Sequence, residues 1–135
     1  MRATDLRIGN YIGCDGDILI VEKIDSKNNI GFSLFKKAVG QHVNSGNKYY
    51  IELTEEILLK CGFEKATIPT AIKDIFIVYY KKDSFVVYLM NDFFEIELIT
   101  KDGEQFNLFR TFKKELHILQ NIYQLLENQE LTINL

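Results

Sequence analysis

Apolar and polar positions along this chain change period several times, and each change marks an element. Leu6, Ile8 and Asn10 alternate with Arg7, Gly9 and Tyr11, a strand-like pattern over Leu6–Ile12 that Gly9 interrupts. Asp15-Gly16 is a hairpin turn signal. It is followed by a β-branched run, Ile18 to Ile24, then by polar Ser26–Asn29 and a third run, Ile30 to Phe35. Three short strands joined by tight turns predict a small curled antiparallel sheet. Residues 36–48 read as a loop, and Tyr49–Leu53 as a closing strand.

A short helix is predicted next, over Glu55–Cys61. Thr54 is its N-cap, Glu55 and Glu56 fill the first turn, and Ile57, Leu58 and Cys61 form its apolar stripe. Gly62 is placed to end it in the left-handed conformation. The period then returns to two. Ile75–Tyr80, Phe85–Met90, Phe93–Thr100 and Phe106–Arg110 read as strands separated by polar turns. Connections this short require antiparallel neighbours, hence a meander.

Beyond it, Phe112, Leu116, Leu119, Tyr123 and Leu126 recur at helical spacing. A long C-terminal helix is therefore expected, capped by Thr111, closed at Asn128 and covering the apolar face of the meander. Glu130–Leu135 alternates again and reads as a final edge strand. The fold class is α+β: a curled N-terminal antiparallel sheet, a short helix, then a β-meander packed against a long helix. The 135 residues suit a single domain, with a subdivision at 1–53 and 54–135 as the alternative.

Composition adds limits. The apolar fraction is 47% and the charged fraction 26%, ordinary for a globular chain. A net charge of −3 argues against a dedicated nucleic-acid binder, which carries a basic field. No apolar leader follows Met1, and no run approaches the roughly 18 apolar residues of a membrane span. Cys14 and Cys61 are far apart in sequence and suit free thiols in a reducing cytoplasm.

Candidate chemistry is sparse. Cys14, His42, Cys61 and His117 lack the close pairing of a zinc site, so no metal and no cofactor is expected. Cys14, which reads as the more exposed thiol, or His117 would be the residues of a small enzyme. There is no phosphate loop, no dinucleotide fingerprint and no nucleophile elbow. Glu55 and Glu56 are accounted for as first-turn acids, and Glu95 and Glu97 as neighbours on one solvated strand face. Lys81, Lys82, Arg110, Lys113 and Lys114 form a weak basic grouping. The more informative feature is on the last helix. His117, Gln120, Asn121 and Gln124 gather on one flank as an uncharged polar face, where exposed helices usually carry charge. Plain exposure is the simplest reading. The alternatives are hydrogen bonding to loops of the N-terminal half, or contact with a partner.

Three segments together resemble a group of short uncharacterised proteins of Bacteroidetes bacteria, often encoded in prophages or mobile elements. They are Leu6-Arg7-Ile8-Gly9-Asn10-Tyr11, Leu53 to Phe63, and Leu116-His117-Ile118-Leu119-Gln120-Asn121-Ile122-Tyr123 through Leu131. The group's pattern runs L-R-I-G-N, then P-L-T-E-E-W-L-L-K-F-G-F, then V-H-Q-L-Q-N-L-Y-x-x-L-T-G-E-E-L. Here the Pro is absent, Ile57 stands where Trp is common, and Asn128 where Gly is usual. The resemblance implies an intracellular accessory protein and points to no particular activity, and it raises His117, Gln120 and Asn121. Function is thus expected to be that of an interaction module, acting on a protein partner or on itself, with a nucleic-acid-associated module as the alternative.

Overall fold

The computed structural model describes residues 5–36 and 47–134. His42 and most of the expected 36–48 loop lie outside these residues. Among the described residues two antiparallel sheets and two helices give an α+β architecture. Its residues group into two compact units, Met1–Glu52 with Glu115–Leu131, and Leu53–Lys114 with Thr132–Leu135.

The first unit opens with β1 (Tyr11–Cys14), later than the Leu6–Ile12 alternation predicts. The residues before it form a turn in which Asn10 N–H donates to the Arg7 carbonyl, and Gly9 N–H and the Asn10 carbonyl still bond Val21 without extending the strand. β2 (Asp17–Ile24) pairs with β1 across the Asp15-Gly16 turn, and β3 (Ile30–Lys36) pairs with β2. Register shifts along β2 and β3 add twist, which curls the sheet. β4 (Lys48–Tyr50) closes it on the far side of β1. Leu6, Ile12, Cys14, Leu19 and Val21 form the core, flanked by Ile24, Ile30, Phe32 and Tyr50. Each fully buried aliphatic side chain here is worth about 1.5–3 kcal/mol.

Gly13 has a steric reason to be glycine. It pairs with Tyr49 of β4, and a Cβ at this position would overlap the Tyr49 ring. The ring lies close against Gly13, and its hydroxyl accepts from Gly16 N–H at 3.3 Å.

The last helix, α2 (Leu116–Glu127), belongs to this first unit rather than to the meander, and it has 12 residues. It is shorter than expected because Thr111 is not its cap. Thr111 pairs with Phe94 in a strand, and Lys114 and Glu115 remain extended, bonded to Leu53 and bridged to Glu52. Glu115 takes the N-cap position without a side-chain cap bond, and Phe112, outside the helix, is 73% exposed. Asn128 closes the helix in the left-handed conformation, as its position after the apolar stripe predicts.

The second unit begins with α1 (Glu55–Lys60). Thr54 Oγ1 accepts from Ile57 N–H, Leu58 is buried, and Gly62 turns left-handed beyond Cys61. Phe63 N–H then bonds the Leu58 carbonyl and Gly62 N–H the Leu59 carbonyl, a Schellman closure. β5 (Glu64–Pro69) follows, a strand the sequence pattern does not announce. β6 (Phe76–Lys82), β7 (Phe85–Leu89), β8 (Phe94–Ile99) and β9 (Gln105–Thr111) complete a five-stranded meander in chain order. Tyr80, Phe85, Val86, Val87, Phe94 and Ile96 are its buried residues along the central strands. The tail from Leu131 forms no strand. Instead Asn134 N–H donates to the carbonyl of Lys60 at 2.6 Å, and Ile133 is buried.

Candidate functional site

The polar helix face is not exposed. His117 and Gln120 are buried, and Asn121 and Gln124 are half-buried. Gln120 and Asn121 are hydrogen-bonded by the N-terminal segment, which for these two is the intramolecular alternative rather than plain exposure. Residues Arg7 to Tyr11 lie along α2 because the turn at Arg7–Asn10 ends where β1 starts, and β1 is the strand next to the helix.

Gln120 is the centre of the arrangement. Its Oε1 accepts from Tyr11 N–H at 3.0 Å. Its Nε2 donates to the Gly9 carbonyl at 3.1 Å and to the Leu131 carbonyl at 3.3 Å. One buried amide thus satisfies three backbone groups from both ends of the first unit, groups that would otherwise be desolvated without partners.

Asn121 Oδ1 accepts from Asn10 Nδ2 at 2.8 Å and from Arg7 Nε at 3.0 Å. Asn10, fully buried, also accepts from Arg7 N–H through its own Oδ1 at 2.7 Å. Arg7 completes the set with its guanidinium. One terminal nitrogen donates to Ile8 O and Glu130 Oε1, the other to Gln120 O and Glu130 Oε2. The Arg7–Glu130 pair is bidentate, the geometry that suits a guanidinium and a carboxylate. Sequence reasoning reached Gln120 and Asn121 but not Arg7, Asn10 and Glu130 as their partners. The available signal was that Arg7 and Asn10 stand in the first resemblance segment and Gln120 and Asn121 in the third.

His117 sits beside this network. Its ring stacks on Tyr50, centroids 4.3 Å apart, and its Nε2 is 3.8 Å from Glu115 Oε2. Gln124 lies a turn further along, and its carbonyl accepts from Asn128 N–H at the helix end. Chemically, this face holds two segments of the first unit in place, because both polar atoms of Gln120 and the Oδ1 of Asn121 are engaged inside the protein.

The remaining candidates are dispersed. Cys14 is buried, not exposed, because β4 and the β1–β2 core enclose it. Cys61 is buried too, and burial pushes its thiol up to about 12, despite the opposing Lys82 ammonium. A neutral thiol is a poor nucleophile. Lys82 Nζ donates to the Cys61 carbonyl at 2.9 Å. Glu55 pairs with Lys65, and Glu56 with Lys60. Glu95 pairs with Arg110, while Glu97 accepts from the Tyr88 hydroxyl at 3.3 Å. Burial and the neighbouring Glu97 carboxylate hold the Tyr88 hydroxyl above its usual range. Lys114 Nζ donates to the Asn91 carbonyl. Among the described residues no three His, Cys, Asp or Glu side chains gather as a metal site. No helix among them is long and apolar enough to cross a membrane.

A different surface draws notice. β6 pairs with β5 along its whole length, from Lys81 opposite Glu64 to Phe76 opposite Pro69. It pairs with β7 only at Tyr80, Lys81 and Lys82. Residues Thr67–Val78 therefore form a two-stranded arm that makes no ladder pair with β7. Its tip is closed by Thr70, whose N–H and hydroxyl both donate to the Ile75 carbonyl. Ile68, Ile72, Ile75, Phe76, Ile77 and Val78 are all exposed on it, Phe76 by 56% and Ile72 by 62%. No family model, no curated protein and no solved structure matches this chain.

Proposed function

We propose that the protein is a non-enzymatic interaction module, an intracellular accessory protein of the phage or mobile-element kind that its sequence resembles. The observation that carries this reading is the apolar arm of β5 and β6. A two-stranded ribbon alone is marginal in water. Six large apolar residues exposed on one such ribbon concentrate apolar surface of the kind that marks protein contact sites. The polar face of α2 is compatible with the same reading, since Gln120 and Asn121 serve the fold. The test uses the purified full chain. Its oligomeric state is measured by sedimentation, and the protein is used as bait in its native host. Self-association or specific capture, weakened by Phe76→Ser at unchanged thermal stability, is the expected result. A strictly monomeric protein that captures nothing would remove the reading.

A further inference from the structure

Two Asp-Gly dipeptides occur in the chain, Asp15-Gly16 and Asp102-Gly103. Each sits in a hairpin turn, the first between β1 and β2, the second between β8 and β9. Asp-Gly is open to backbone rearrangement because glycine has no side chain to hinder its amide nitrogen. That nitrogen attacks the Asp side-chain carboxyl carbon, and the new N–C bond closes a five-membered succinimide. The carboxyl hydroxyl leaves as water with the amide proton. Water then adds back at either imide carbonyl. Addition at the side-chain carbonyl restores aspartate. Addition at the main-chain carbonyl leaves the chain linked through the side chain, as isoaspartate. The net change is an isomerisation, with water as the only other reactant.

In sequence the two dipeptides are equivalent, and the fold separates them. Closing the ring requires the Gly amide to leave its hydrogen bond and the turn to open. In the first turn strand pairing resumes at once on either side of Asp15-Gly16, with Cys14 opposite Asp17, 1% and 2% exposed. Gly16 N–H donates to the Tyr49 hydroxyl, so β4 ties this turn from outside it. Opening it breaks into the buried β1–β2 pairing.

The second turn is held from within. Gly103 N–H donates to the Thr100 carbonyl at 3.0 Å, and Thr100 N–H to the Glu104 carbonyl at 2.8 Å. Glu104 N–H donates to Thr100 Oγ1 at 3.2 Å. These bonds join residues of the turn itself, and every residue from Thr100 to Leu108 is exposed. Gly103 has open space where a Cβ would stand. Segments with exposed backbone bonds and few buried contacts open locally while the rest stays folded. We propose that Asp102 is a site of spontaneous isoaspartate formation in the folded chain, and that the fold protects Asp15 from the same reaction. The site is independent of the apolar arm and of the interaction reading.

The experiment ages the full chain at neutral pH, folded and, in parallel, unfolded in guanidinium chloride. Peptide mapping locates isoaspartate as a product of unchanged mass and shifted elution, which separates it from asparagine deamidation. A methyltransferase specific for isoaspartyl carboxylates confirms its identity in the isolated peptide. In the folded chain isoaspartate should accumulate about tenfold faster at Asp102 than at Asp15, which corresponds to an opening free energy lower by about 1.4 kcal/mol. In the unfolded chain the two rates should converge. Asp102→Glu, whose ring would need a sixth member, should lose the product from its peptide, with thermal unfolding checking that the variant is folded. Equal rates at the two sites in the folded chain overturn the proposal. So does a lack of isoaspartate at Asp102 under conditions where the unfolded chain forms it. A tenfold ratio that persists in guanidinium chloride overturns it as well, since neighbouring sequence and not the fold would then set the rate.

Discussion

Gln120 shows how much a single amide can hold. Its three hydrogen bonds reach the backbone at Gly9, Tyr11 and Leu131, all in the first unit. Truncation by Gln120→Ala strands one N–H and two carbonyls in a desolvated site, where each lost partner costs about 1–3 kcal/mol. Some of that is recovered by entering water, so a loss of about 2–4 kcal/mol is expected in chemical denaturation. The more telling variant is Gln120→Glu, which is nearly the same shape. Its carboxylate still accepts from Tyr11 N–H but turns oxygens toward two carbonyl oxygens. It should be destabilised at neutral pH and recover partly in mild acid, where the protonated side chain can donate once. A Gln120→Glu protein as stable as wild type at pH 7 would mean that the amide's donors carry no weight. This residue was visible in the sequence as one of an uncharged group, but its role was not. Helical periodicity reports which residues share a face, and a face of amides reads alike whether water or a neighbouring loop satisfies it.

At the scale of elements, what the sequence made legible followed strong local signals. α1 was bounded by Thr54 and Gly62, and the structure ends it within one residue of the expected place. The hairpins of the second unit followed their turn residues. Three elements were misread for identifiable reasons. β5 carries Glu64, Lys65, Thr67 and Pro69 on an edge and buries little, so no period marks it. The apparent start of the last helix at Phe112 extended a true stripe into residues whose backbone bonds go to Glu52 and Leu53. The tail at Glu130–Leu135 alternates because Leu131 and Ile133 are buried singly, not because a strand forms. Gly13 is an element-scale feature as well, since it fixes how β4 lies on β1. Gly13→Ala should destabilise by about 1–3 kcal/mol, the usual range for overpacking. Tyr49→Ala in the same chain should return part of that loss, because the clash is with the Tyr49 ring itself. Additive effects of the two substitutions, measured as a double-mutant cycle, would show that the ring is not what Gly13 accommodates.

At the scale of the whole molecule, the titrating groups are unevenly placed. Cys61, Tyr80 and Tyr88 all belong to the second unit, and each is held above its ordinary range, chiefly by burial. A group whose pKa is raised on folding contributes stability that is full below its unfolded pKa and is lost as pH rises toward the folded one. For Cys61 the loss therefore begins near its ordinary value of 9.0 and runs to about 12, and the two tyrosines add to it from about 10 upward. Asp25, in the first unit, is held below its ordinary range by its Asn29 hydrogen bonds, so its contribution is lost only in acid. Alkaline destabilisation should consequently start in the second unit. Hydrogen exchange followed at increasing pH, corrected for intrinsic rates, should show protection falling first in β6–β8 while β1 and β2 hold. Cys61→Ala should lower stability at neutral pH, because it empties a buried position, yet flatten the decline between pH 9 and 12. Uniform loss of protection across both sheets, or an equally steep decline in Cys61→Ala, would show that these buried groups do not set the alkaline limit.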